Sequence, residues 1–175
     1  MPEKGRHPGT RIYGMSTRED RSNPTEGSPD PSSGPLRGAA LAVRLLEASC
    51  AQAPGDPLRL DVLQTLARDL RVEIEALAEL EGRETAVIEG ALRAADVANL
   101  AASALPELPE SHAPEIAASA HLAAGAARAL HALAEAVARA PGGRERSTLK
   151  DARGVAWRAQ LAARQVDDFL FGNEG

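Results

Sequence analysis

The sequence predicts an all-α protein: a five-helix bundle with an alanine-rich core over residues 36–171, behind a disordered N-terminal leader over residues 1–35. Three observations carry that expectation. Hydrophobic residues make up 43 % of the chain, yet aromatics only 2 %, namely Tyr13, Trp157, Phe169 and Phe171. Alanine and leucine must therefore build the core, and alanine fills a core only where helix backbones approach closely. Apolar residues recur at spacings of three and four, without sustained strand-type alternation, and Pro/Gly breaks cut the chain into segments of helical length.

The leader carries Pro2, Pro8, Pro24, Pro29, Pro31 and Pro35 among Gly, Ser and charged residues. Such a stretch buries too little apolar surface to offset the entropy of ordering. Met15-Ser16-Thr17 offers an alternative translation start, and the opening residues lack the apolar run of a signal peptide. The first helix is expected from about Leu36 to Ala51, with Leu41, Val43, Leu45 and Leu46 as its larger apolar residues, ended by Pro54-Gly55-Asp56-Pro57. Asp56 is a good N-cap for the second helix, with Pro57 at its first position. Leu63, Leu66, Leu70, Ile74 and Leu77 form one face of that helix, with Arg68, Arg71, Glu75 and Glu79 away from its centre.

Gly82 is placed to end the second helix, and the third runs from near Arg83 to about Leu105. Its predicted stripe is Ile88, Ala91, Leu92, Ala95, Asn99 and Ala102; Pro106 and Pro109 stop it. Ser111 is the expected cap of the fourth helix, which tolerates Pro114 in its first turn and reaches about Ala140. There Ile116, Ala120, Ala123, Ala127, Leu130, Ala134 and Val137 form a stripe, and most of the remaining circumference is also Ala, Gly or Leu. A helix apolar on most sides packs on most sides, so the fourth helix belongs near the middle of the bundle. Gly125 would admit a close neighbour, at roughly 1 kcal/mol of helix propensity against alanine. After Pro141-Gly142-Gly143, Ser147 or Thr148 caps a fifth helix whose stripe is Val155, Ala159, Ala162, Val166 and Phe169. Trp157 and Leu161 fall off that stripe. Packing against another helix is the expectation for them, and an exposed contact site the alternative.

Charge and composition narrow the function. The net charge of −5 argues against a nucleic-acid binder, and single-strand binding would need aromatic platforms the chain lacks. Glu73, Glu75, Glu79, Glu81, Glu84 and Glu89 make an acidic middle; Arg139, Arg144, Arg146, Lys150, Arg153, Arg158 and Arg164 make a more basic end. The two are expected to face each other or water, with a docking patch on the basic end as the alternative. Cys50 is the single cysteine, so no internal disulfide forms; this suits a reducing cytoplasm, and burial rather than catalysis is its expected role. No stretch is long and apolar enough to span a bilayer.

The candidate ligand-binding residues are Asp96, Asn99, His121, Arg128, His131 and Glu135. Asn99 sits in an otherwise apolar stripe, where a buried amide must find hydrogen-bond partners or cost about 1–3 kcal/mol. It reads either as a register-specifying polar residue or, with Asp96 nearby, as a contact in an inter-helix cavity. His121, Arg128, His131, Glu135 and Arg139 trace one polar line on the fourth helix, read as i,i+4 surface pairs or as an anion site. A helical di-iron centre needs Glu-x-x-His motifs, and none occurs, so no metal is expected. Walker A, Rossmann, His-Glu-x-x-His and Cys-x-x-Cys patterns are missing, and no Ser-His-Asp assembly is supported; no catalytic residue is named. Trp157 and Leu161 are the interaction candidates.

One family resemblance stands on RETAVIEGALRAADV (residues 83–97), LARDLRVEIEALAELEG (66–82) and PEIAASAHLAAGAARAL (114–130). These resemble successive helices of the cyclodeaminase/cyclohydrolase helical domain found in formiminotransferase-cyclodeaminases. The resemblance loosely covers residues 36–170 and implies a helical, dimer-forming protein. Where that family has a glycine run after proline, this chain reads SGPLRGAA, and where it has an Asn and a Ser-Asp pair, this chain reads SHAPE. The leading expectation is therefore a non-catalytic, self-associating interaction or scaffold protein, a homodimer or the partner of another protein, with no cofactor. The alternative implied by the resemblance is an enzyme acting on a formimino-tetrahydrofolate with release of ammonia, placed by a polar cavity at Asp96 and Asn99. A third reading is a regulator that docks a partner through its basic C-terminal helix.

Overall fold

A computed structural model describes residues 32–80, 84–139 and 146–172, the side chains of residues 84 and 146–152 excepted. The expectations for the leader, Met15, Pro141-Gly142-Gly143 and the Ser147 and Thr148 side chains fall outside those limits; the second helix ends at Ala78, with Glu79 as its C-cap, ahead of the Gly82 that the sequence suggested. Among the described residues there are five α-helices and no strand: α1 Ser33–Gln52, α2 Pro57–Ala78, α3 Glu84–Ala104, α4 Ala113–Arg139 and α5 Arg146–Phe171.

Local chemistry accounts for the boundaries. Ala53 is extended because Pro54 follows it, and a residue before proline is pushed out of the helical region. The Asp56 carboxylate accepts a hydrogen bond from the Leu58 amide at 3.0 Å and Pro57 opens α2, as the sequence predicts. Leu108, ahead of Pro109, is extended for the same reason as Ala53. Ser111 does not cap α4. It is exposed within a short 3-10 turn, Glu110–His112, because a second such turn, Leu105–Glu107, ends α3 and the chain tightens again before Ala113. Helix α5 begins at Arg146, ahead of both serine and threonine.

Helices α1 to α4 form a closed up-down-up-down ring. Ion pairs show the antiparallel register: Arg44–Glu75 and Glu47–Arg71 join α1 to α2, and Glu73–Arg93 joins α2 to α3. The Ser119 hydroxyl, fully buried on α4, donates to the Ala42 carbonyl of α1 at 2.8 Å and closes the ring. Helix α5 lies outside the ring, along the groove between α3 and α4. Helix α4 therefore packs against α1, α3 and α5, the central position its apolar circumference predicts.

The core is made mostly of alanine, with Leu36, Val43, Leu46, Ile74, Val97, Ile116, Leu130 and Val166 as its large fully buried side chains. Close approach is concentrated at Gly90 on α3. A Cβ there would stand 2.6 Å from Leu36 Cδ2 and 3.3 Å from Leu130 Cδ1, so glycine is what lets α1 and α4 meet over α3. Gly125, the glycine the sequence suggested for this role, would meet nothing within 4 Å if it carried a Cβ.

Several predicted faces turn out rotated. Asn99 is exposed, and Ile88, Leu92 and Ala102 are only half-buried. The buried face of α3 instead runs through Val87, Ala91, Ala94, Ala95, Ala98 and Ala101. Alanine surrounds this helix, so the sequence carries little information on its phase, and Asn99 occupies the one wet strip beside Asp96 and Ser103. Trp157 (58 % exposed) and Leu161 lie on the outside of α5, which overturns the expectation of internal packing. Phe169, Leu66, Leu41 and Val137 are also exposed. On α5 the inward face continues through Val166 to the half-buried Leu170, and the exposed Phe169 borders an open hollow with Leu105, Pro106, Leu108 and Ala113.

Candidate functional site

The polar line of α4 is divided by its neighbours. His121 Nε2 lies 2.8 Å from Asp167 Oδ1 of α5. Together with Arg128 of α4 and Gln160 and Arg164 of α5, they border a shallow hollow of about 150 Å³. Arg128 and Arg164 form no ion pair among the described residues; Arg164 instead stands 6.0 Å from the Trp157 ring centroid, at the outer limit of a cation–π contact. The hollow has the charge to hold a single anionic group. A His–Asp pair supplies two members of a hydrolytic triad, but no Ser, Thr or Cys lines this hollow or the adjoining one bordered by Pro35, Gly38, Leu122 and Gly125. It offers general-base chemistry with no nucleophile to activate.

Further along α4, His131 is not a surface residue: its side chain is only 16 % exposed. Its Nε2 is 3.6 Å from Glu135, too far for a hydrogen bond, and its buried Nδ1 has no partner among the described residues. Glu135 pairs with Arg139 at 2.8 Å, as its i,i+4 spacing predicts. No group of three metal-binding side chains exists among the described residues.

Asp96 and Asn99 share the wet strip of α3 but build no cavity. Asp96 is 3.2 Å from Arg93, and neither Asp96 nor Asn99 lines any of the hollows described here. Cys50 is 3 % exposed, and burial pushes its thiol up, which keeps it protonated and inert. Two glutamates of the acidic middle, Glu73 and Glu75, are paired with arginines of α1, α2 and α3, and Glu47 of α1 is paired likewise. Arg44 and Arg71 take Glu75, Arg93 takes Glu73, and Arg71 and Arg68 take Glu47. Arg153, Arg158 and Arg164 on α5 point to solvent.

One uncovered apolar feature is one the sequence reading missed. Helix α2 turns Leu60, Leu63, Ala67, Leu70, Ile74 and Leu77 toward the bundle, yet only Ala67 and Ile74 are fully buried. On the opposite side it carries a second apolar face: Leu58 (79 % exposed), Val62, Leu66, Val72 (57 % exposed), Ala76 and, just past the helix end, Leu80. At 100° per residue these fall within an arc of roughly 120°, interrupted only by Thr65, Asp69 and Glu73. Two open hollows flank it toward α3, one of about 440 Å³ bordered by Leu58, Val62, Ser103 and Glu107, the other of about 280 Å³ bordered by Glu73, Ala76, Leu80 and Arg93. A count of apolar residues at separations of four along α2, Leu58-Val62-Leu66, would have found this face. A smaller apolar strip on α5 joins Trp157, Leu161 and Phe171.

No protein-family model matches the chain, and no curated protein matches it.

Proposed function

We propose that this protein is a non-catalytic helical interaction protein that associates with copies of itself. The observation that carries this reading is the outer face of α2, a row of large apolar side chains that the bundle leaves in water. Exposed apolar surface of that extent on a folded domain marks an interaction site. The polar features support no chemistry that competes with it: no Ser, Thr or Cys lines the hollow at the His121–Asp167 pair, and Asp96 and Asn99 line none of the hollows described above. A cytoplasmic setting suits a chain whose single cysteine is a buried free thiol, and no helix among the described residues is long and apolar enough to cross a membrane.

Light scattering coupled to size exclusion, on the full chain over a hundredfold range of concentration, tests the reading. The expected result is a mass above the 18.3 kDa of one chain that falls on dilution. A monomer at every concentration overturns it. The formimino-tetrahydrofolate reading makes the opposite demand on thermal unfolding, a midpoint that rises with added tetrahydrofolates; no shift is expected. A second reading has its own support in α5, where Arg153, Arg158 and Arg164 surround the exposed Trp157 and Leu161. That strip fits an acidic protein partner, and binding there would weaken steeply with salt.

A further inference from the structure

We infer that the partner seated on the outer face of α2 is the α2 of a second copy, crossing it antiparallel about a two-fold axis at Asp69. The inference rests on the self-association proposed above and adds its surface, orientation and register.

The argument is the order of residues along the exposed face. Leu58 and Leu80 are equally distant from residue 69, as are Val62 and Ala76, and Leu66 and Val72; Thr65 is likewise matched with Glu73. A two-fold interface uses the same patch on both partners, so it requires a surface that complements itself when reversed. Reversal about Asp69 sets every large apolar residue of this face against another apolar residue. A parallel pair would set Glu73 against Glu73 as well as Asp69 against Asp69. The antiparallel pair sets Glu73 against Thr65 and leaves a single like-charge contact, at the axis. Glu73 is also compensated within its own chain by Arg93 at 2.6 Å.

The dimensions agree. Helix α2 has 22 residues, which at 1.5 Å per residue makes a ridge about 33 Å long. Its apolar face leaves on the order of 500 Å² in water, a size at the upper end of the largest patch on a monomer, which is often a functional one. With Thr65, Asp69 and Glu73, which lie within the face, and Arg59 at its margin, the surface each copy offers rises toward the roughly 800 Å² per partner of a stable complex. The face borders α3 along one edge, where Glu73 meets Arg93 and Leu58 and Val62 line a hollow with Ser103 and Glu107.

Cross-linking and sedimentation of the full chain test the register. In a Cys50→Ala background, Leu58→Cys and Leu80→Cys proteins are mixed under mild oxidation. The expected product is the mixed disulfide dimer, with little disulfide from either protein alone. Self-linking of Leu58→Cys without the mixed product overturns the antiparallel register. In sedimentation equilibrium, Leu66→Glu buries a charge in each half of the interface and is expected to raise the dimer dissociation constant about 100-fold or more. Asp69→Leu removes the like-charge contact and is expected to tighten the dimer about tenfold, a gain that no folding defect would imitate. If Leu161→Glu on α5 dissociates the dimer and Leu66→Glu does not, the α2 interface is wrong while self-association stands. If the unmodified chain is monomeric, both are wrong.

Discussion

Helix α4 buries Ala113, Ala120, Ala123, Ala124, Ala126, Ala127 and Ala134, with Ile116 and Leu130 as its only large core side chains. Helix α2 carries Leu58, Leu60, Val62, Leu63, Leu66, Leu70, Val72, Ile74 and Leu77, yet fully buries only Ala67 and Ile74. Side-chain size and burial are thus inverted between the two. Small residues let α4 approach three neighbours, and contact area there comes from backbones and methyl groups at close range. Large residues hold α2 at the rim, where α1 and α3 cover one side of it. The difference teaches that in a core of this composition the large apolar residues are free to serve a surface, and that α2 is the element with surface to offer.

The comparison is broken most directly by truncating one leucine in each helix. Leu130→Ala should cost about 2–5 kcal/mol in denaturant unfolding, because it leaves a cavity where α1, α3 and α4 meet. Leu66→Ala should change the unfolding free energy of the monomer by less than about 0.5 kcal/mol, and its effect should appear in dimer dissociation instead. Equal costs at the two sites would mean that α2 is as much a part of the core as α4.

Two glycines sharpen the role of close approach. Gly90→Ala pushes a Cβ into Leu36 and should destabilise by about 1–3 kcal/mol, as overpacking does. Gly125→Ala meets open space and should stabilise by up to about 1 kcal/mol through helix propensity. Thermal unfolding of the pair separates them by sign. A gain at both positions would show that α3 and α4 tolerate spreading.

The smallest effect expected is at the polar rim between α1 and α2. The Arg44 guanidinium, hydrogen-bonded to Glu75 at 2.7 Å, holds the Glu75 carboxyl below its usual range, helped by Arg71. A depressed folded-state value means that the pair's contribution is complete above the unfolded value of about 4.3 and is lost as pH falls through the folded one. Both groups are wet, so the contribution is at most about 0.5 kcal/mol. Glu75→Gln should flatten the stability profile below pH 5 by that small amount; a large flattening would show that α2 is held by charge rather than by its inner leucines.

The sequence by itself determined the five helices, most of their ends, the cap at Asp56, the central place of α4 and the i,i+4 pair Glu135–Arg139. All but the place of α4, which follows from its apolar circumference, rest on interactions within a few residues: proline geometry, a carboxylate two residues from an amide, one turn of helix. Only the tertiary structure decided which way the alanine-rich helices face. An alanine on every side of α3 leaves no hydrophobic phase to read, so Asn99 moved from the expected core to the wet strip, and Gly90 rather than Gly125 became the point of closest approach. The His121–Asp167 pair spans 46 residues and needs α5 seated in the α3–α4 groove before it can form. The outer face of α2 is the same kind of outcome: Leu66 reads as core until the packing of α1 and α3 shows how much of the helix two neighbours leave uncovered.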